Sequence, residues 1–196
     1  CIAIILVDQD ARAATATWTG DAANDLSSNP LNWADQAPPS LQSAEIIFGP
    51  LAPGAHQTVG VDLVENIGPI VFSEGAPSMT LRPVSPNQGY LQMAGGSQTL
   101  RLVNRSGQTQ VLKLQLHVFW HDEGGTIRAR RWEAASGDFE FAGAVILRGD
   151  LIPPEQREVI WELAATSDMI FQQKVMPSDS WHPDTAISLV KSGRAC

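Results

Sequence analysis

Charge is the scarcest commodity in this 196-residue sequence: Asp, Glu, Lys and Arg together make up 17% of it. Basic residues are fewest, 13 against 21 acidic, giving a net charge of −8. That balance excludes nucleic acid as a bulk electrostatic partner and gives no polybasic grip on anionic lipid. No apolar run reaches the 18 residues or so that a membrane-spanning helix needs, so no such segment is expected. Catalytic signatures are also missing: there is no G-x-S-x-G elbow, P-loop, dinucleotide-binding glycine pattern or H-E-x-x-H. Cysteine is limited to Cys1 and Cys196, neither near a histidine in sequence. The expectation is a protein that is not an enzyme and holds no cofactor or metal.

Turn-forming residues are plentiful instead, with 16 Gly and 13 Pro, while hydrophobic residues reach 43%, enough for a real core. Short apolar segments separated by Gly or Pro recur about every ten residues. They fall at 44–48, 58–63, 68–72, 79–83, 90–93, 99–103, 111–120, 126–132, 138–147, 158–164 and 169–175, with a last candidate at 186–190. Several alternate strictly. Leu112, Leu114, Leu116 and Val118 oppose Val111, Lys113, Gln115 and His117, and Phe139 and Phe141 oppose Glu140 and Ala142. Alternation of period two puts one face on a core and the other in solvent. No helical apolar stripe of useful length occurs. The expected fold is therefore all-β: an antiparallel β-sandwich or jelly-roll with an extended N-terminal strand, the alternative being a right-handed parallel β-helix. The expected organisation is an arm and linker over 1–16 and one all-β domain over 17–196.

A run beginning at Trp18 resembles a known family. Thr17-Trp18-Thr19-Gly20, Asn32-Trp33, Pro38-Pro39 and Ile46-Ile47-Phe48-Gly49 occur in that order. They resemble the opening of bacterial surface proteins with autotransporter-associated β-strand repeats, many bearing a PEP-CTERM sorting tail. Ile70-Val71-Phe72 and Leu102-Val103-Asn104 fit the continuation. The resemblance implies an exported, all-β, non-enzymatic protein located extracellularly or at the cell surface. Two departures stand out: the long glycine-rich repeats are missing, and the apolar segment at 2–7 is not part of the pattern.

That segment is six apolar residues rich in β-branched types, suited to a buried strand and hazardous if exposed. No basic segment precedes it, so it does not read as an intact signal peptide; a leader already removed ahead of Cys1 is one reading. A lipidated Cys1 is another, poorly matched by bulky Ile2. The strand either folds into its own domain or enters a neighbour's sheet, as in pilus subunits that assemble by donor-strand complementation, which the arm resembles. Donation of Ile2, Ile4, Ile5, Leu6 and Val7 along a non-closing head-to-tail contact would give a helical homopolymer, an extracellular filament whose partners are copies of itself. A disulfide using Cys1 and Cys196 is expected within a chain or between neighbouring chains, where it would lock the joint; two reduced thiols are the alternative.

The rival expectations are a secreted carbohydrate-binding β-sandwich module, with glycans as partners, and a fragment of a surface-protein passenger. Trp120, Trp132 and Trp181 are the candidates for sugar stacking in a carbohydrate-binding module. Trp18 and Trp33 are expected instead to anchor the turn-rich segment at 20–43, and Trp161 to join the core. Asn104-Arg105-Ser106 is the sole glycosylation sequon. His117 and His121 have helical zinc-ligand spacing, but a strand there would set them roughly 13 Å apart. Asp21, Asn24 and Asp25 carry calcium-type oxygens without the spacing of a calcium loop.

Overall fold

A computed structural model describes residues 15–36, 38–39, 45–62, 65–85, 90–95, 101–120, 130–143, 145–148, 158–165, 169–171, 175–177 and 186–192. The chain winds through them as a coil. The first strand, β1 (Thr15–Trp18), is followed by a 3₁₀ turn at Pro30–Asn32. One turn of the coil then comprises β2 (Glu45–Phe48), β3 (Thr58–Val61) and β4 (Glu65–Ile67). The next comprises β5 (Ile70–Phe72), β6 (Thr80–Pro83) and β7 (Tyr90–Gly95). A third holds β8 (Leu102–Asn104), β9 (Gln110–Leu112) and β10 (Gln115–Trp120). A fourth holds β11 (Arg130–Ala134), β12 (Phe139–Phe141) and β13 (Val145–Arg148). A fifth holds β14 (Glu158–Ala165), β15 (Met169–Phe171) and β16 (Val175–Pro177), and β17 (Ala186–Ser192) comes last.

Each turn lays one strand on each of three sheets. The first sheet runs β1-β2-β5-β8-β11-β14-β17, the second β3-β6-β9-β12-β15 and the third β4-β7-β10-β13-β16. Every pairing between these strands is parallel. The antiparallel sandwich is thereby overturned. All-β content holds, but apart from β1, which pairs with β2 across the turn-rich segment, strands pair with their counterparts one turn away in the chain and not with their sequence neighbours. The topology is that of a parallel β-coil. Alternation and turn punctuation look alike in both architectures, because both put one face of every strand on a core; only the pairing partner differs.

Long apolar segments are also divided. The run at 111–120 becomes β9 and β10, bent at Lys113 and Leu114, and 138–147 becomes β12 and β13, bent at Ala142 and Gly143. Alternation survives the corner: Leu112, Leu114 and Leu116 are all buried, while Lys113 and Gln115 are exposed. Gly143 sits where a side chain would collide with the Leu114 backbone of the preceding turn. β1 begins at Thr15, so Thr15 and Ala16 pair with Glu45 and Ile46 within the sheet.

Equivalent positions stack into columns through the interior. Ala16, Ile46, Ile70 and Leu102 form one, Val59, Leu81, Leu112 and Phe141 another, all buried. Trp18, Phe48 and Phe72 form a third, in which Phe48 and Phe72 stack at 4.8 Å with planes 14° apart. Trp33, Trp18, Phe48, Phe72, Phe139 and Phe141 make an unbroken train of ring contacts. Each fully buried aromatic contributes roughly 1.5–3 kcal/mol of transfer free energy, with about 0.5–1.5 kcal/mol more for each good ring pair. Among the described residues, no helix is long and apolar enough to cross a membrane.

Candidate functional site

The residues of the tryptophan motif converge on the first turn of the coil. Trp33 forms an antiparallel bridge with Trp18 and meets its ring edge-on at 5.1 Å. Backbone bonds from Thr19 to Asn32 (2.8 Å) and from Ala34 to Thr17 (2.9 Å) close the loop between them. Asn32, fully buried, acts as the hub. Its Oδ1 accepts from the Ala22 amide, and its Nδ2 donates to the Asn24 and Leu26 carbonyls at 2.9 and 3.0 Å. Both indoles donate: Trp18 Nε1 to the His56 carbonyl at 3.0 Å and Trp33 Nε1 to the Ser27 carbonyl at 2.8 Å. The expected anchoring of the turn-rich segment by Trp18 and Trp33 is what the structure shows.

The same segment covers the edge of the second sheet. Leu26 bridges to Gly60 of β3 in parallel; Ser27 N donates to Gly60 O, and Gly60 N donates to Asp25 O. Side chains fasten it. Asp62 accepts from the hydroxyls of Ser27 and Ser28 and from the Ser28 amide, and Arg82 reaches Asp25 at 2.8 Å. An unpaired strand edge invites pairing with another chain, and this polar strap occupies it.

A second polar centre lies at the corner after β8. Asn104, at 0% exposure, stands in the column of Trp18, Phe48 and Phe72. Its Nδ2 donates to Gln108 O at 2.9 Å and to Asp138 O at 2.8 Å, and its Oδ1 accepts from the amide and hydroxyl of Ser106. Gln110, also at 0%, accepts from the Met79 amide at 2.8 Å and donates to Pro77 O and Ser106 Oγ. The network joins the preceding turn (Pro77, Met79) to the next one (Asp138). In sequence, Asn104 stands out only as a sequon. The nitrogen a glycan would occupy is buried and bonded to two carbonyls, so the folded chain gives a sugar no room there. Its place in Leu102-Val103-Asn104, equivalent to Ile70-Val71-Phe72, is the signal that an amide replaces a ring inside the coil.

The remaining candidates are scattered. Trp132 pairs in register with Leu102 and Leu163, and Trp120 with Gly95. These two lie on different sheets, and Trp181 lies outside the described residues. Cys1, Ile2, Ile4, Ile5, Leu6, Val7, His121, His182 and Cys196 also lie outside them. His117 pairs with Gln92 and Ile146 in the third sheet. Asn24 Oδ1 accepts from Asn29 Nδ2 and the Leu26 amide, while Asp25 meets Arg82. Among the described residues, no three His, Cys, Asp or Glu side chains group to hold a metal ion. The hydroxyls of Ser27, Ser28 and Ser106 donate to acceptors that hold the coil together. What both polar centres do is join successive turns. Comparison with family models, curated proteins and solved structures gives no match for this chain.

Proposed function

We propose that this chain is a structural β-coil of an exported bacterial surface protein, working as a scaffold and not as an enzyme. The observation that carries the reading is the pairing register. Seven strands of the first sheet succeed one another in parallel, with the tryptophan motif at β1 opening the stack. At roughly 4.8 Å per strand, that sheet extends about 30 Å along the stacking direction. Polar side chains at its corners are engaged in bonds between turns, as a load-carrying scaffold requires. The resemblance of Trp18 to Gly49 to repeat-bearing surface proteins supports the export half of the proposal. Antibodies raised against the folded chain should label intact, unpermeabilised producing cells or their surrounding matrix. Labelling that appears only after the cells are permeabilised would sink the reading.

A further inference from the structure

The apolar segment at 2–7 lies outside the described residues, and the position of β1 bears on the residues between that segment and the coil. Residues 1–7 are seven consecutive apolar residues, Cys1 included, the length of the core of a short secretory leader. Polar Asp8, Gln9 and Asp10 come next, then small residues. Two triplets have alanine at both outer positions, Ala11-Arg12-Ala13 and Ala14-Thr15-Ala16. Leader peptidases select small side chains at those two positions. In an extended substrate, positions two apart share a face, so paired alanines meet two small pockets while the residue between them faces away.

The coil distinguishes the two triplets. Cleavage after Ala16 would remove Thr15 and Ala16, which pair with Glu45 and Ile46; Ala16 is 8% exposed and heads the core column continued by Ile46 and Ile70. Cleavage after Ala13 keeps Thr15 and Ala16 in β1 and leaves Ala14 directly before it.

We infer that residues 1–13 are the rear of a secretory leader, hydrolysed between Ala13 and Ala14. Water adds across that peptide bond, leaving the carboxylate on Ala13 and a new amino group on Ala14. The partner is a leader peptidase with two small pockets, one for Ala11 and one for Ala13. The inference rests on the exported reading above. It also sets the fate of the donor-strand alternative, because Cys1, Ile2, Ile4, Ile5, Leu6 and Val7 leave with the leader. A mature chain then keeps Cys196 alone and forms no Cys1–Cys196 ladder.

The test is N-terminal sequencing and intact-mass measurement of the protein recovered from producing cells, alongside an Ala11→Glu/Ala13→Glu variant. The expected N-terminus is Ala14-Thr15-Ala16-Thr17, and the variant should lose the mature band and accumulate the longer precursor. A surface-located protein that still carries residues 2–7, or one cut after Ala16, overturns the inference while leaving export intact. An uncleaved protein confined to the cell interior overturns both. The variant changes no residue of the described coil, so loss of processing reports on recognition and not on folding.

Discussion

Asn104 and Gly137 show how much one residue carries in a coil. Buried Asn104 donates to two carbonyls, one on its own corner and one on the next turn. Asn104→Leu keeps the volume and removes both donors. Each carbonyl keeps a second donor, Ser106 Oγ at Gln108 O and the Gln110 amide at Asp138 O, so the loss is that of the two bonds themselves, about 0.5–1.5 kcal/mol each and about 1–3 kcal/mol together. In urea this should read as a lower midpoint at unchanged slope. Gly137 sits beside the same network at φ +96°, where an added Cβ would collide with the Gln108 backbone. Gly54 has a similar φ of +89° with open space around it. Gly54→Ala should therefore cost about 1 kcal/mol from backbone strain alone. Gly137→Ala should cost clearly more, and thermal melts of the two variants isolate the packing part. Equal shifts would show that the corner yields without penalty.

At the scale of an element, the strap at 20–36 is the feature with consequences. It holds through two indoles, a buried asparagine and one aspartate, and few of its own residues are apolar. Trp18→Ala removes a ring that touches both Trp33 and Phe48. The expected cost is about 3–5 kcal/mol. Leu31, 56% exposed on the 3₁₀ turn, makes the control: Leu31→Ser should move stability by less than about 0.5 kcal/mol. Arg82→Ala belongs near the control, since the Arg82–Asp25 pair is partly open to solvent, with the guanidinium side 41% exposed, and such pairs contribute about 0–1 kcal/mol. Hydrogen exchange gives the finer readout. Trp18→Ala should open the Gly60 amide, which donates to Asp25 O beneath the strap, ahead of amides in β8. Simultaneous opening of both would mean that strap and coil unfold as one unit.

For the whole molecule, stacking by turns makes length adjustable in steps of one turn only. Phe72 and Asn104 are register equivalents. Removing 73–104 joins Phe72 to Arg105 and brings β3 over β9 with the apolar columns aligned, since Val59, Leu81 and Leu112 already share one column. Removing 73–103 shifts every later strand by one residue, and a shift of one exchanges the inward and outward faces of a strand. The first deletion should give a β-type circular dichroism spectrum and a cooperative melt. The second should give an aggregating or unfolded chain. Similar behaviour of both would contradict the column-based core. Nearest-neighbour stability of this kind is the general expectation for coils, in which each turn contacts only its neighbours.

By itself the sequence determined that the chain is built of short strands and, where alternation is strict, which faces are buried. Period-two alternation in Leu112, Leu114 and Leu116 and in Phe139 and Phe141 is a local property, set by apolar side chains seeking one side of a pleat. The anchoring role of Trp18 and Trp33 was legible as well, through their place in the motif Thr17-Trp18-Thr19-Gly20 and Asn32-Trp33. Pairing was decided only in the tertiary structure. Glu45–Phe48 and Ile70–Phe72 meet because each turn returns the chain one strand-spacing along the stack, and that return distance is a property of the corners between them. Likewise Asn104 is a surface sequon in one dimension and an internal clamp in three: its meaning depends on Gln108 and Asp138, carbonyls that the folded corner brings to its amide nitrogen and that local sequence does not place there.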